Sequence, residues 1–312
     1  VNHVLTRPAR LDQVIRLADG RALGYAEYGP ADGPALFLFH GLPGSRLAAP
    51  EMWPEDPVAI RVIAPDRPGA GSSAFQPGRR LTDWAADIRQ LADTLGIDRF
   101  LVAGFSGGGP HALAVAHSLP DRVIAAGSIS GAGPIDTPGA RTGMNRANRL
   151  IFWLARNAPA ALWPLAAQHA RLTKRYPAKV IDKAVHDRNL PKADRAAMAS
   201  PRMRELYAAT ASEAFRQGVR GFIHEARICV RPWGFDPATI KPPVFIWHGG
   251  EDVNVPVAMA QHLAAQIPDS KLTIYRGEGH LIAPEHWTEI LSTLLSAYPQ
   301  PAQAAPGSTP PG

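Results

Sequence analysis

The chain has 312 residues, of which 46% are apolar and 19% charged, with a formal charge of +6. These proportions exclude a disordered polymer and suit one large or two ordinary globular domains around a sizeable core. Cys229 is the sole cysteine, which excludes an intrachain disulfide and a cysteine metal cluster and fits a reducing, cytoplasmic setting.

No apolar run is long enough to span a bilayer, and no charged stretch followed by an apolar run marks a secretory leader. Leu11–Ala18 and Ala22–Tyr28 read as two strands joined at Asp19-Gly20, a strong hairpin signal, so the chain opens with an antiparallel pair. Ala35–His40 and Ile60–Pro65 are continuous apolar runs, as expected of strands buried on both faces of a parallel sheet. Trp84, Ile88, Leu91 and Leu95 recur at helical spacing over Thr82–Leu95, and Gly96 ends the segment. Phe100–Phe105 reads as a strand, His111–Leu119 as a helix and Val123–Ile129 as another strand. Strands and helices alternating in this way indicate a parallel sheet with right-handed crossovers.

The alternation stops at Pro134. Up to about Gly234 the segments Arg146–Ala155, Ala160–Arg171, Lys192–Ala199 and Glu205–Ile228 all read as helices. The buried-strand pattern then resumes at Pro243–His248, followed by a helix over Val257–Ile267, a strand at Leu272–Tyr275 and a helix over His286–Ala297. The expected organisation is therefore a sheet domain over 1–133 and 235–298, interrupted by a helical cap over 134–234. Pro299–Gly312 is uncharged and proline-rich and is expected to be a disordered tail.

Charge follows the same division. Pro134–Trp233 holds 18 Lys and Arg against 7 Asp and Glu, whereas the rest of the chain holds 15 against 20. The segment has no groove-reading motif or interleaved aromatic platform, so nucleic acid is not an expected partner. A basic cap is compatible with an anionic substrate or a membrane surface, but no feature of the sequence requires either.

The chemistry centres on Gly104-Phe105-Ser106-Gly107-Gly108, where an apolar strand turns into a helix through a serine fenced by glycines. Such a turn also occurs without chemistry or as a phosphate cradle, so the other strand ends decide. A serine hydroxyl needs a base to take its proton, and that base needs a carboxylate to orient it. Asp252 follows the strand at Pro243–His248, and His280 follows the strand at Leu272–Tyr275. In a parallel sheet those ends share one edge with Ser106. Asp252 is favoured over Glu251 as the acid, with Asp136, after the strand ending at Ile129, as the second candidate. His286 lies within the last helix, and His111 is placed just behind the serine, where it lines the pocket if it faces it. Two backbone N–H groups must receive the oxyanion: that of Gly107, after the serine, and that of Leu42, in the loop His40-Gly41-Leu42-Pro43-Gly44. His40, Gly41, Phe105 and Trp153 are the expected substrate contacts. Phe152, Leu154, Trp163 and Leu165 supply further apolar cap surface.

These motifs, together with Pro65-Asp66-Arg67-Pro68-Gly69-Ala70-Gly71, His248-Gly249-Gly250-Glu251-Asp252 and Gly277-Glu278-Gly279-His280, resemble the α/β-hydrolase fold family. The resemblance covers about residues 11–133 and 235–298, nearest to capped esterase, lipase and proline-iminopeptidase-like branches. It implies an α/β fold with a mostly parallel eight-stranded sheet flanked by helices and a helical cap after the sixth strand. It also implies a Ser-His-Asp triad and no metal or organic cofactor. Epoxide hydrolases and haloalkane dehalogenases are similar at the His-Gly-x-Pro loop but carry Asp where this chain has Ser106. The expected activity is cleavage of small to medium carboxylic esters with an apolar part. The alternatives are an aminopeptidase, whose cap acids would be Glu205, Glu213 and Glu225, and a non-catalytic ligand-binding homologue.

Overall fold

The computed structural model describes residues 9–48 and 59–298. The tail expected over 299–312 lies outside the described residues. β1 (Ala9–Arg16) and β2 (Ala22–Tyr28) form the expected antiparallel pair, and the Asp19 carboxylate accepts from the Arg21 N–H across the turn at 3.0 Å. β3 (Ala35–Phe39), β4 (Arg61–Pro65), β5 (Phe100–Phe105) and β6 (Val123–Ile129) follow, with α1 (Trp84–Thr94) before β5 and α2 (Gly109–Ser118) after it. Six helices come next: α3 (Arg146–Asn157), α4 (Pro159–Arg175), α5 (Pro177–Val185), α6 (Lys192–Ala199), α7 (Pro201–Ala214) and α8 (Arg220–Cys229). The chain then returns as β7 (Val244–Gly249), α9 (Val257–Gln266), β8 (Ser270–Tyr275) and α10 (Ala283–Ser296).

The eight strands form one sheet in the order β1-β2-β4-β3-β5-β6-β7-β8. β2 pairs antiparallel with β1 and β4, and every later pair is parallel. Strand residues alternate between two cores, as the two-residue period of a strand requires. Phe37, Phe39, Phe100 and Val102 pack with Trp84 and Leu91 of α1 and Leu113 of α2. Leu36, Leu38, Leu101 and Ala103 face Trp287, Ile290 and Leu294 of α10. Both faces are covered, which is why these strands read as unbroken apolar runs.

The inserted helices have their own core, with Leu154, Leu162, Ala166, Phe215 and Ile223 packed together and reaching Val255 and Met259 beside β7. Here the structure differs from the sequence expectation. The helix expected over Glu205–Ile228 is two, broken between Ala214 and Arg220, where Phe215 turns inward and Gly218 adopts a left-handed φ of 91°. α5, which buries only Ile181, was not among the expected helices.

Candidate active site

Ser106 sits on the turn between β5 and α2 with φ 54°, in the left-handed region that L-residues rarely occupy. The turn is tight enough to require glycine on both sides. A Cβ at Gly104 would lie 2.1 Å from the Gly108 carbonyl oxygen, and one at Gly108 would lie 2.3 Å from that of Phe39. The hydroxyl is thereby held above the carboxyl ends of the strands.

Two loops at that edge reach the serine. His280, after β8, places Nε2 2.9 Å from Ser106 Oγ and Nδ1 2.7 Å from Asp252 Oδ2. Asp252, after β7, is fixed in turn, since its Oδ1 accepts from the N–H groups of Asn254 (2.8 Å) and Val255 (2.9 Å). His248, fully buried, sits 3.3 Å from Oδ2. Burial would raise the Asp252 pKa, but His280 and His248 outweigh it and hold the carboxyl well below its usual range. Burial likewise opposes a charge on His280. The charge and hydrogen bond of Asp252, with the charge of Asp194, overcome it and move the imidazole pKa up.

On the other side of the serine lies the loop after β3. A Cβ at Gly41 would lie 3.4 Å from Ser106 Cβ, and one at Gly107 would lie 3.5 Å from the Leu42 nitrogen, so Leu42 and Gly107 face each other beside the hydroxyl. The loop rests on buried charge. Arg67 donates from Nη2 to the Gly41 carbonyl at 2.8 Å and from Nη1 to the His40 carbonyl, while its Nε donates to Glu225 of α8 at 2.7 Å. Arg79 also pairs with Glu225. Burial lowers the two guanidinium pKa values, to about 10 for Arg67 and about 9 for Arg79, so both stay charged at neutral pH. His40 Nε2 accepts the Arg67 backbone N–H at 3.2 Å, which puts the ring proton on Nδ1, donated to the Gly41 carbonyl at 2.9 Å. Burial first, and the neighbouring arginines second, push His40 and His111 well below the usual histidine range.

A cavity of about 450 Å³ opens over the serine. Its floor includes Gly41, Leu42, Phe105, Ser106, Gly107 and His280, and its roof comes from Ile151, Phe152, Leu162, Leu165, Met203 and Phe222 of the inserted helices. The Phe105 ring lies 5.0 Å from that of His280.

Several sequence expectations are corrected. Trp153 does not face the cavity: it is 55% exposed on the outer side of α3, and Phe152, one position earlier on the helix, points inward instead. His40 lies beneath the loop, bonded to its backbone, and does not line the cavity. His111 is also underneath, bonded through Nδ1 to the Gly107 carbonyl at 2.9 Å. Asp136 is on the surface, paired with Arg156 at 2.6 Å. Glu205, Glu213 and Glu225 do not line the cavity: Glu205 is exposed, Glu213 pairs with Arg46, and Glu225 with Arg67 and Arg79. The acid that does line it, Asp194 of α6, was not anticipated, and neither were Arg67 and His248. The roles of Asp194 and Arg67 depend on contacts between segments far apart in sequence. Among the described residues no group of three His, Cys, Asp or Glu side chains is arranged to hold a metal, and no helix is long and apolar enough to cross a membrane.

The alpha/beta hydrolase fold family profile matches residues 34–286. The chain is 28% identical over 254 residues to an uncharacterized protein of Mycobacterium tuberculosis, covering 80% of this chain and 70% of that one. It is 40% identical over 94 residues to the magnesium-chelatase 30 kDa subunit of Rhodobacter capsulatus, a match spanning 30% of this chain and 33% of the subunit. A thermophilic esterase from Thermogutta terrifontis superposes with a TM-score of 0.64 at 21% identity, over 94% of this chain and 100% of that chain. An esterase from Rhodococcus sp. gives 0.62 at 20% identity, over 92% and 100%. At these identities the two structures show a shared fold.

Proposed function

The chain belongs to the alpha/beta hydrolase fold family, and on that footing we propose that it is a serine hydrolase of small to medium carboxylic esters with an apolar part. The observation that carries this reading is the continuous hydrogen-bonded line from Ser106 Oγ through His280 to Asp252 at the floor of an apolar cavity.

His280 Nε2 takes the hydroxyl proton as Ser106 Oγ bonds to the ester carbonyl carbon. The carbonyl oxygen becomes an oxyanion held by the N–H groups of Leu42 and Gly107. When the tetrahedral intermediate collapses, the C–O bond to the alcohol breaks and His280 returns the proton to the leaving oxygen. Water, deprotonated by the same imidazole, then cleaves the acyl-serine. Asp252 keeps Nδ1 protonated and supports the imidazolium. Arg67 adds to the oxyanion side. The carbonyl it binds, that of Gly41, belongs to the peptide whose N–H is that of Leu42, and a charged donor at one end of an amide strengthens the donor at the other.

The inserted helices act as a cap whose inner face receives the apolar part of the substrate. An aminopeptidase would use the same serine chemistry but needs a carboxylate for the substrate amine, and the three cap glutamates are exposed or already paired. In the test, Ser106→Ala abolishes p-nitrophenyl butanoate turnover with the circular dichroism spectrum unchanged, and a fluorophosphonate labels the unaltered protein at Ser106. Retained turnover, or absence of labelling, rejects the reading, and a prolyl chromogenic amide cleaved faster than the ester favours the aminopeptidase.

A further inference from the structure

Asp194 lies in the first turn of α6, only 3% exposed, and its carboxylate is divided between two consecutive backbone amides of another segment. Oδ2 accepts from the His280 N–H at 3.0 Å and Oδ1 from the Leu281 N–H at 2.9 Å. The contact spans 86 residues of chain, so no local turn explains it. The loop is shaped to admit it: a Cβ at Gly279 would lie 2.4 Å from Oδ2, inside the carboxylate. An acidic side chain withdrawn from water needs partners of this kind, and here the partners are the backbone of the residue that bonds to the serine.

We propose that Asp194 is a positioning residue for His280, lent by the inserted helices: it anchors the histidine's backbone so that Nε2 meets Ser106 while α6 is seated on the loop. The proposal rests on His280 being the base. Asp252 fixes the far ring nitrogen but not the point from which the side chain hangs, and the ring pivots about its bond to Asp252 unless that point is fixed as well. Asp194 fixes it. The charged groups facing His280 are these two carboxylates, Asp252 from the loop after β7 and Asp194 from α6. Glu278, in the same loop, is bonded to His286 of α10 at 2.7 Å. Removing the Asp194 charge therefore lowers the His280 pKa as well as releasing its backbone.

Asp194→Asn keeps the size of the side chain, removes the charge and turns one acceptor into a donor facing an N–H. With p-nitrophenyl butanoate, kcat falls about 10- to 100-fold, the scale of a small misplacement of a reacting group, and KM changes little. The acid limb of kcat/KM moves to lower pH. Gly279→Ala leaves the carboxylate in the protein but expels it from the loop, and it reproduces the kcat loss even where Asp194→Asn folds poorly. The Gly279→Ala/Asp194→Ala double variant is no worse than the worse single change. Wild-type kcat in both single variants overturns the proposal, and so does a fall in kcat with an unmoved acid limb, which is what general loosening of the fold produces. His280→Ala is assayed beside them. If it stays active the base assignment itself fails, whereas an inactive His280→Ala with wild-type kcat in both Asp194→Asn and Gly279→Ala rejects the role of Asp194 alone.

Discussion

The two flanks of Ser106 are built on opposite electrostatic plans. On the Leu42 side the support is permanent charge: Arg67, Arg79 and Glu225 are buried together, and the histidines beside them, His40 and His111, are driven neutral. On the His280 side the support is two carboxylates acting on an imidazole whose pKa is raised toward working pH. On the proposed mechanism, the first flank is electrostatically fixed and donates, while the second changes protonation and exchanges protons. A site arranged in this way draws its acid-side pH dependence from the His280 flank, although His40 and His111 lie beneath the other.

The contrast is broken most severely at Asp252. Asp252→Asn allows the wrong imidazole tautomer, and ester turnover should fall about 10⁴-fold with the fold intact by circular dichroism. On the opposite flank, Arg67→Met removes the donor at the Gly41 carbonyl, and kcat should fall about 100-fold, near the loss of one oxyanion donor. That change also breaks a buried ion pair, so thermal unfolding should report about 3–5 kcal/mol of lost stability. Adding Glu225→Gln should lower stability further, because it leaves the buried Arg79 charge without its carboxylate. The two flanks also separate in pH. His280 must be neutral to accept a proton, so activity rises with pH through its raised pKa, and the acid limb of kcat/KM should lie above the ordinary histidine value of about 6.5. Arg67→Met should leave that limb where it is; a limb that moved with Arg67 would mean the flanks are not independent. The smallest effects belong to the roof. Phe152→Ala should raise KM for longer acyl chains roughly tenfold, as loss of apolar contact does. Trp153→Ala, on the outer face of the same helix, should leave kcat and KM unchanged and stability within about 0.5 kcal/mol.

Legibility in the sequence follows the same line between the sheet and what is laid over it. Ser106, Asp252 and His280 were readable because each follows an apolar run that only a buried strand explains, and a parallel sheet gathers such ends at one edge. Eight strands were placed within two residues of their observed ends. The inserted helices were readable as helices but not in their facing. Periodicity separates an inner from an outer side only where one side is clearly apolar, and on α3 both Phe152 and Trp153 qualify. Asp194 has the sequence signature of an ordinary first-turn acid, whose usual partner is the dipole of its own helix. Nothing within α6 shows that its carboxylate is turned to a loop 86 residues away. Glu225 was weighed as an acid for a substrate amine, whereas its partners are Arg67 and Arg79, from the loops after β4.

The insertion of six helices between β6 and β7 has a consequence for the order in which the molecule comes into being. Strands β1 to β6, made first, position Ser106 and the amides of Leu42 and Gly107, while Asp252 and His280 follow the last two strands. The bond between His280 and Ser106 joins residues 174 positions apart, and it forms only after β7 has paired with β6 across the whole inserted segment. A contact of such range is slow to form, because the closure entropy of the long loop is spent before the pairing is gained. A nascent chain therefore displays the Ser106 hydroxyl well before His280 can reach it, so the proposed activity would arrive only with the final strands.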